Sequence, residues 1–227
     1  MALPAEFRTT RDALHSLACY VISPARKART GRIGLRSTGG GFGTPRFDDG
    51  SRIVVHGSRL ALDPGDGIDI TTPRAAGAFL GVELTPDPGV GTDLPPYEPD
   101  AALAVDVDAS FFLGNWYAMG QTVIDRLPDH VGSGRVATIS EAQLWPEHFD
   151  LAVVVELVGG RHVNVGFSPG DSFVDEPYVY IGPDDMTGLD DEYWNASFGA
   201  YLAYSGIDED HRAETALAFI DRGFALV

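Results

Sequence analysis

The run Phe149–Ser168 constrains the fold most, because it joins the chain's strongest strand-forming segment to a two-glycine turn. A β-branched first half and an alternating second half flank Gly159 and Gly160. Two such segments separated by Gly-Gly are typical of a β-hairpin. A two-residue loop would pair Val155 with Asn164 and put apolar side chains on both faces. We therefore predict a central hairpin that is covered on both sides.

A second hairpin is predicted from Arg52–Val55 and Arg59–Asp63, which a Gly-Ser turn joins. Its register would pair Val55 with Leu60 and collect the apolar residues on one face and the charged residues on the other. This hairpin should cover a core on one side only.

Helical periodicity and capping signals predict helices around the two hairpins. The predicted helices are one that starts near Thr10 and ends near Ser23 because of Pro24, Arg74–Val82, Ala109–Leu127 capped by Asp108 and stopped by Pro128, and one after Asp208. Further strands are predicted at Tyr178–Ile181 and Trp194–Tyr204. Together these elements predict an α+β fold, with antiparallel sheets built from two hairpins and three to four helices packed on them.

The domain organisation is predicted from proline content and charge. Residues 86–100 contain five of the 15 prolines and show no periodicity. We interpret them as a connection within a single domain, residues 1–227, between an N-terminal lobe of about residues 1–85 and a C-terminal lobe of residues 101–227.

Charge and composition exclude several classes of protein. The net charge is −17, and residues 1–74 hold 11 of the 16 basic residues. Such an acidic composition disfavours nucleic-acid binding, because Lys or Arg side chains must neutralise the phosphates. No apolar run is long enough for a membrane helix, and no secretory signal is recognisable. The single cysteine, Cys19, excludes an internal disulfide. We expect a cytoplasmic protein that binds neither nucleic acid nor membrane.

Candidate catalytic residues lie at the polar ends of the central hairpin. His148 and Asp150 lie at the start of the first strand, Phe149–Leu157, and the Ser-Pro-Gly-Asp turn after the second strand would bring Asp171 close to them. A His-x-Asp pair with a further carboxylate can bind a divalent metal, or an Asp can orient a His that acts as general base. In the structural alternative, Asp171 caps backbone N–H groups and His148 donates to a carbonyl.

Aromatic and acidic side chains near the same end could line a ligand pocket. These candidate ligand-binding residues are Trp145, Glu147, Glu176, Tyr178, Trp194 and Asn195. Two function classes follow. The first is a protein that binds a small molecule or a protein partner through this pocket. The second is a metal-assisted hydrolase or another small-molecule enzyme. We favour binding, because the His/Asp/Asp cluster lacks a nucleophile and a clear third metal ligand.

Five motifs together resemble a family of uncharacterised bacterial proteins, over roughly residues 10–225. The motifs are Arg32-Ile-Gly-Leu-Arg36, Gly40-Gly-Phe-Gly-Thr-Pro45, Leu144-Trp-Pro-Glu-His-Phe-Asp-Leu-Ala152, Ser168-Pro-Gly-Asp171 and Tyr193-Trp-Asn-Ala-Ser-Phe-Gly-Ala200. Since that family has no assigned activity, the resemblance implies one intact domain and transfers no catalytic residue.

Overall fold

A computed structural model describes residues 2–132, 134–189 and 192–227, and the chain divides into two compact units. Unit 1 consists of Met1–Ala118 and Gln143–Phe149, and unit 2 of Met119–Ala142 and Asp150–Val227. Each unit combines helices with an antiparallel sheet, which confirms the predicted α+β class. Residues 86–100 lie inside unit 1 and form no helix or strand.

The first helix of unit 1 is continuous from residue 7 to residue 30. It consists of α1 (Phe7–Leu17), a π-helical turn (Ala18–Ile22) and α2 (Ser23–Thr30). The prediction that Pro24 ends this helix is wrong. The N–H of Ser23 bonds to the carbonyl of Ala18, five residues back, and this wider π pattern precedes Pro24 in the first turn of α2.

The sheet of unit 1 is a five-stranded antiparallel meander. Its strands, in spatial and chain order, are β1 (Arg36–Thr38), β2 (Gly41–Gly43), β3 (Arg52–His56), β4 (Arg59–Asp63) and β5 (Gly67–Asp69). Val55 lies opposite Leu60, so the predicted register of this hairpin is confirmed. Both side chains are buried, while Arg52 and Asp63 form an ion pair of 2.7 Å on the other face.

Unit 1 also contains α3 (Pro73–Leu80), the start of α4 (Val107–His130) and the short strand β7 (Gln143–Trp145). Asp106, and not Asp108, caps α4 by accepting the N–H of Ala109 at 2.9 Å. The prediction that Pro128 stops α4 is wrong by two residues. A proline so close to the helix end removes only one backbone hydrogen bond, so the last turn persists.

The sheet of unit 2 is antiparallel and carries the central hairpin. Its strands, in spatial order, are β11 (Ala200–Ala203), β10 (Tyr178–Pro183), β9 (His162–Ser168), β8 (Asp150–Leu157) and β6 (Val136–Ile139). The predicted strand at Tyr178–Ile181 is confirmed. The predicted strand Trp194–Tyr204 is wrong for its first half, since only Ala200–Ala203 pairs with β10. Helix α5 (Arg212–Leu226) packs against β10 and β11.

The register of the central hairpin differs by one residue from the prediction. Val155 lies opposite Val163, not Asn164. The N–H of Leu157 bonds to the carbonyl of Arg161 at 2.8 Å, so the loop contains three residues rather than two. Because side chains alternate between faces, this shift exchanges the face of every residue on one strand relative to its partner.

The corrected register concentrates the apolar side chains on one face. The buried set on this face is Leu151, Val153, Val155, Val163, Val165 and Phe167. On the other face, toward the hairpin loop, Val154 is 38% exposed and Asn164 is exposed. The prediction of a hairpin covered on both sides is therefore wrong for the loop half.

Helices cover the apolar face of this sheet. A Cβ on Gly120 of α4 would lie 2.6 Å from Cγ of Phe167, so the helix backbone approaches this face very closely. The other face, opposite to Phe167, is therefore the one on which polar and aromatic residues can be displayed. None of the described helices combines the length and the apolar composition needed to cross a membrane.

Candidate functional site

The face of the unit 2 sheet opposite to Phe167 brings together side chains from four strands. Tyr180 lies directly opposite Gly166 on β9 and Tyr201 on β11, and Tyr178 lies opposite Ser168. Asp150, the first residue of β8, belongs to the same face, because Ala152 pairs with Gly166. Strand alternation thus places two tyrosines of β10 beside an acidic strand end.

Five aromatic rings form a closed circuit on this face. The ring of Phe173 lies 5.6 Å from that of Phe198 and 5.5 Å from that of Tyr201. Tyr178 lies 5.8 Å from Tyr201 and 6.1 Å from Tyr180, and Tyr180 lies 6.1 Å from Phe198. Four of these five contacts are edge-to-face, the arrangement that ring quadrupoles favour. Phe173 and Phe198 are 57% and 38% exposed, so the circuit reaches the surface.

A carboxylate accepts the hydroxyl of each central tyrosine. Tyr178 donates to Oδ2 of Asp171 at 2.6 Å, and Tyr180 donates to Oδ2 of Asp150. Oδ1 of Asp171 accepts the backbone N–H groups of Phe173 and Val174 at 2.7 and 2.9 Å. The capping role considered for Asp171 in the structural alternative is therefore observed. It also holds Phe173 at the circuit.

The electrostatics keep both tyrosines protonated. Burial is the main cause that raises the pKa of Tyr178, and the hydrogen bond to Asp171 is the second cause. Burial, followed by the charge of Asp150, raises the pKa of Tyr180 well above its ordinary value. Each hydroxyl is therefore a proton donor to a carboxylate rather than a base.

We call this group of side chains the aromatic–acidic surface. It consists of Asp150, Asp171, Phe173, Tyr178, Tyr180, Phe198 and Tyr201. It offers exposed ring surface beside negative charge, which suits recognition of a ligand better than it suits proton transfer.

In unit 1, the backbone carbonyls of the segment Trp145–Phe149 accept hydrogen bonds from the first helix, and the last residue of the segment is buried in the core. Nε2 of His15 donates to the carbonyls of Pro146 and Glu147 at 2.9 and 3.0 Å, and Sγ of Cys19 donates to that of Pro146 at 3.0 Å. Phe149 has a φ of 54°, unusual for a bulky residue, and its ring is buried.

The predicted ligand-binding residue Glu147 has a structural contact in unit 1. Its Oε1 accepts the N–H groups of Thr92 and Asp93 at 2.6 and 3.0 Å, and these bonds lower its pKa. Glu147 therefore fastens the proline-rich loop. Trp145, 37% exposed, and His148, also exposed, are the members of this segment that present side chains to solvent.

The remaining predicted residues lie in unit 2. Glu176 is half-buried and accepts the N–H and hydroxyl of Ser205 at 2.9 and 2.7 Å. Asn195 bonds through both ends of its amide to the backbone of Tyr201. Trp194 stacks edge-to-face on Tyr193. Of the predicted ligand-binding residues, Tyr178 is the one whose side chain belongs to the aromatic–acidic surface, and Asn195 positions Tyr201.

The catalytic and metal hypothesis concerned His148, Asp150 and Asp171. The structure places Asp150 and Asp171 on the aromatic–acidic surface of unit 2 and His148 in unit 1. Within residues 2–132, 134–189 and 192–227, no three His, Cys, Asp or Glu side chains are grouped so that they could hold a metal ion. The described residues thus do not supply the three ligands that a mononuclear site normally needs.

The sequence interpretation missed Phe173, Tyr180, Phe198 and Tyr201. One local signal was present: Tyr178 and Tyr180 alternate on a predicted strand and so must share a face. No local signal placed Phe173 or Phe198 there, since both lie in turns that only the folded chain brings to the sheet.

Comparison with protein-family models, with curated proteins and with solved structures finds no match to this chain.

Proposed function

We propose that this protein binds a small molecule, without catalysis, through the aromatic–acidic surface of unit 2. The observation that carries the proposal is the closed circuit of five rings, with Phe173 and Phe198 exposed at its outer side. Exposed aromatic side chains that cluster in this way are typical of recognition surfaces, since they supply large contact area with few rotatable bonds.

Two features favour binding over catalysis. Both carboxylates are already engaged by tyrosine hydroxyls, and Asp171 also caps two backbone N–H groups. A general base must instead have an acceptor available for the substrate proton. The raised pKa values of Tyr178 and Tyr180 keep both hydroxyls from acting as nucleophiles near neutral pH.

The supporting experiment is a thermal-shift screen of small organic compounds, followed by titration of each hit into three proteins. We expect a hit to stabilise the wild-type protein, because a ligand that binds only the folded state raises Tm by mass action. The double variant Phe173→Ala/Phe198→Ala should lose this stabilisation. Val158→Ala is the matched control, because Val158 is another exposed apolar residue of unit 2 (66% exposed) outside the surface.

Two results would contradict the proposal. One is a set of hits that stabilise the double variant as strongly as the wild type. The other is a ligand whose binding shifts the amide NMR signals of residues elsewhere and leaves those of Phe173, Phe198 and Tyr201 unchanged. A protein partner as the natural occupant would be indicated if a peptide, but no small compound, met the same variant criterion.

A further inference from the structure

We infer that the ligand of the aromatic–acidic surface is a small organic cation whose charge resides on a fully alkylated (quaternary) ammonium group. This inference rests on the proposed function and adds the chemical class of the ligand. It follows from the acidic sequence of the chain that carries the surface, from the lack of an intramolecular cation on the circuit rings of the described residues and from the engagement of the carboxylates.

The segment of the chain that carries most of the surface is acidic in sequence. Residues 162–211 contain 11 Asp and Glu residues and no Lys or Arg. This stretch includes β9, β10, β11 and both exposed phenylalanines. Asp150 adds a further carboxylate from β8 on the same face. A surface of one sign concentrates ligands of the opposite sign, so a cation is favoured over a neutral or anionic ligand.

Other aromatic rings of unit 2 already hold a cation of the protein. The guanidinium of Arg212 lies 4.9 Å from the ring of Tyr204, and that of Arg222 lies 5.2 Å from the ring of Tyr193. Within the described part of the chain, none of the five circuit rings has such a partner. Their faces, which carry the negative lobe of the ring quadrupole, therefore lack an intramolecular cation.

The state of the carboxylates decides which kind of cation fits. Asp171 already accepts three hydrogen bonds, from Tyr178 and from the N–H groups of Phe173 and Val174. A carboxylate offers about four acceptor positions in all. A primary ammonium or a guanidinium group has three to five N–H donors, and Asp171 leaves few acceptor positions for them.

A fully alkylated ammonium group avoids this shortage of acceptors. A quaternary nitrogen carries its charge on surrounding methyl groups and has no N–H donor to satisfy. Its methyl groups can lie against ring faces while the charge stays close to Asp150 and Asp171. Rings supply the contact and the carboxylates supply the field, without a new hydrogen bond.

The test uses tetramethylammonium chloride as the probe, followed by amide NMR shifts at constant ionic strength set with sodium chloride. We expect saturable shifts around Phe173 and Phe198, and binding at least tenfold tighter than that of 2,2-dimethylpropan-1-ol, a neutral molecule of similar shape. Guanidinium chloride should bind at least tenfold more weakly than tetramethylammonium. The variants Phe173→Leu and Phe198→Leu, which keep apolar bulk but remove the ring face, should each weaken tetramethylammonium tenfold, whereas Val158→Ala should not.

The inference is overturned if the neutral alcohol or guanidinium binds as tightly as tetramethylammonium, or if the leucine variants bind the probe normally. Failure of the ligand class and failure of the proposed function are distinguishable. If neutral compounds bind and Phe173→Ala/Phe198→Ala abolishes that binding, only the ligand class is wrong. If neither kind of compound binds in a way that depends on these two residues, the proposed function itself is wrong.

Discussion

Substitution of Gly166 by alanine should break the centre of the aromatic–acidic surface. Gly166 lies directly opposite Tyr180, whose ring covers it. An added Cβ would lie 2.5 Å from Cε1, Cζ and the hydroxyl oxygen of Tyr180. Since ordinary van der Waals contacts of a Cβ begin at 3.4 Å, the ring must move by about 1 Å in a closely packed setting. That movement pulls the Tyr180 hydroxyl away from Asp150.

The magnitude follows from three terms. Overpacking costs about 1–3 kcal/mol. Removing the Tyr180 donor from a buried carboxylate costs about 1–3 kcal/mol. The reduced entropy of the unfolded chain returns about 0.4–1 kcal/mol, because Gly166 does not occupy the left-handed region that alanine avoids. We therefore expect Gly166→Ala to lower the free energy of unfolding by about 3 kcal/mol.

Urea denaturation followed by far-UV circular dichroism measures this change, with Gly39→Ala as the matched control. Gly39 has nothing within 4 Å of an added Cβ, and its φ is ordinary. A double-mutant cycle with Tyr180→Ala isolates the clash, because the alanine at position 166 should cost almost nothing once the ring is absent. The reasoning is refuted if Gly166→Ala is as stable as Gly39→Ala, or if its cost is the same with and without the Tyr180 ring.

Three further predictions concern register and pH. Val154→Lys should change the free energy of unfolding by less than about 0.5 kcal/mol, whereas Val155→Lys, at a position 0% exposed, should prevent folding. Circular dichroism would show the difference. If the protein tolerated both lysines equally, the one-sided hairpin would be contradicted. The pKa values of Tyr178 and Tyr180 are raised above 10.0 in the folded protein. The two hydroxyls therefore contribute fully to stability below pH 10. This contribution is lost as the pH rises through the raised pKa values, by about 1.4 kcal/mol per pH unit and group. Urea midpoints between pH 9 and 11 should therefore fall less steeply in Tyr178→Phe, and an unchanged slope would count against this. Burial lowers the pKa of His15 below 6.5, so the contribution of the neutral imidazole to stability is present above pH 6.5 and is lost as the pH falls through the lowered pKa. In His15→Gln, Tm should therefore depend less on pH between pH 5 and 7. A steeper dependence would contradict the role given to His15.

Much of the fold could be predicted from local patterns in the chain. Alternation and turn residues located both hairpins, and helical periodicity and capping signals located the α-helical regions of the described residues. The register of the first hairpin was also predictable, since its two-residue turn and its one-sided apolar pattern agree on the same pairing, Val55 with Leu60. Proline was misread twice, at Pro24 and Pro128, because each lies where a helix can omit one N–H.

The candidate site was less predictable from the sequence than the fold, because its side chains meet only through tertiary structure. In the central hairpin, both strands are rich in apolar residues, so more than one register would pair apolar side chains with each other. Gly159 and Gly160 alone therefore did not define the loop length. The three-residue loop determined the register, and the register determined that Asp150, Gly166 and Tyr180 share one face.

The sequence by itself thus determined the two hairpins, the main helices and the acidic composition of residues 162–211, because these are properties of neighbouring residues. Only the tertiary structure decided which side chains meet. Phe173 reaches the aromatic circuit through the turn that Asp171 caps, and Phe198 reaches Tyr180 through the turn that leads into β11, which pairs with β10. Such contacts join residues far apart in the chain, and their geometry depends on loop length, register and burial acting together.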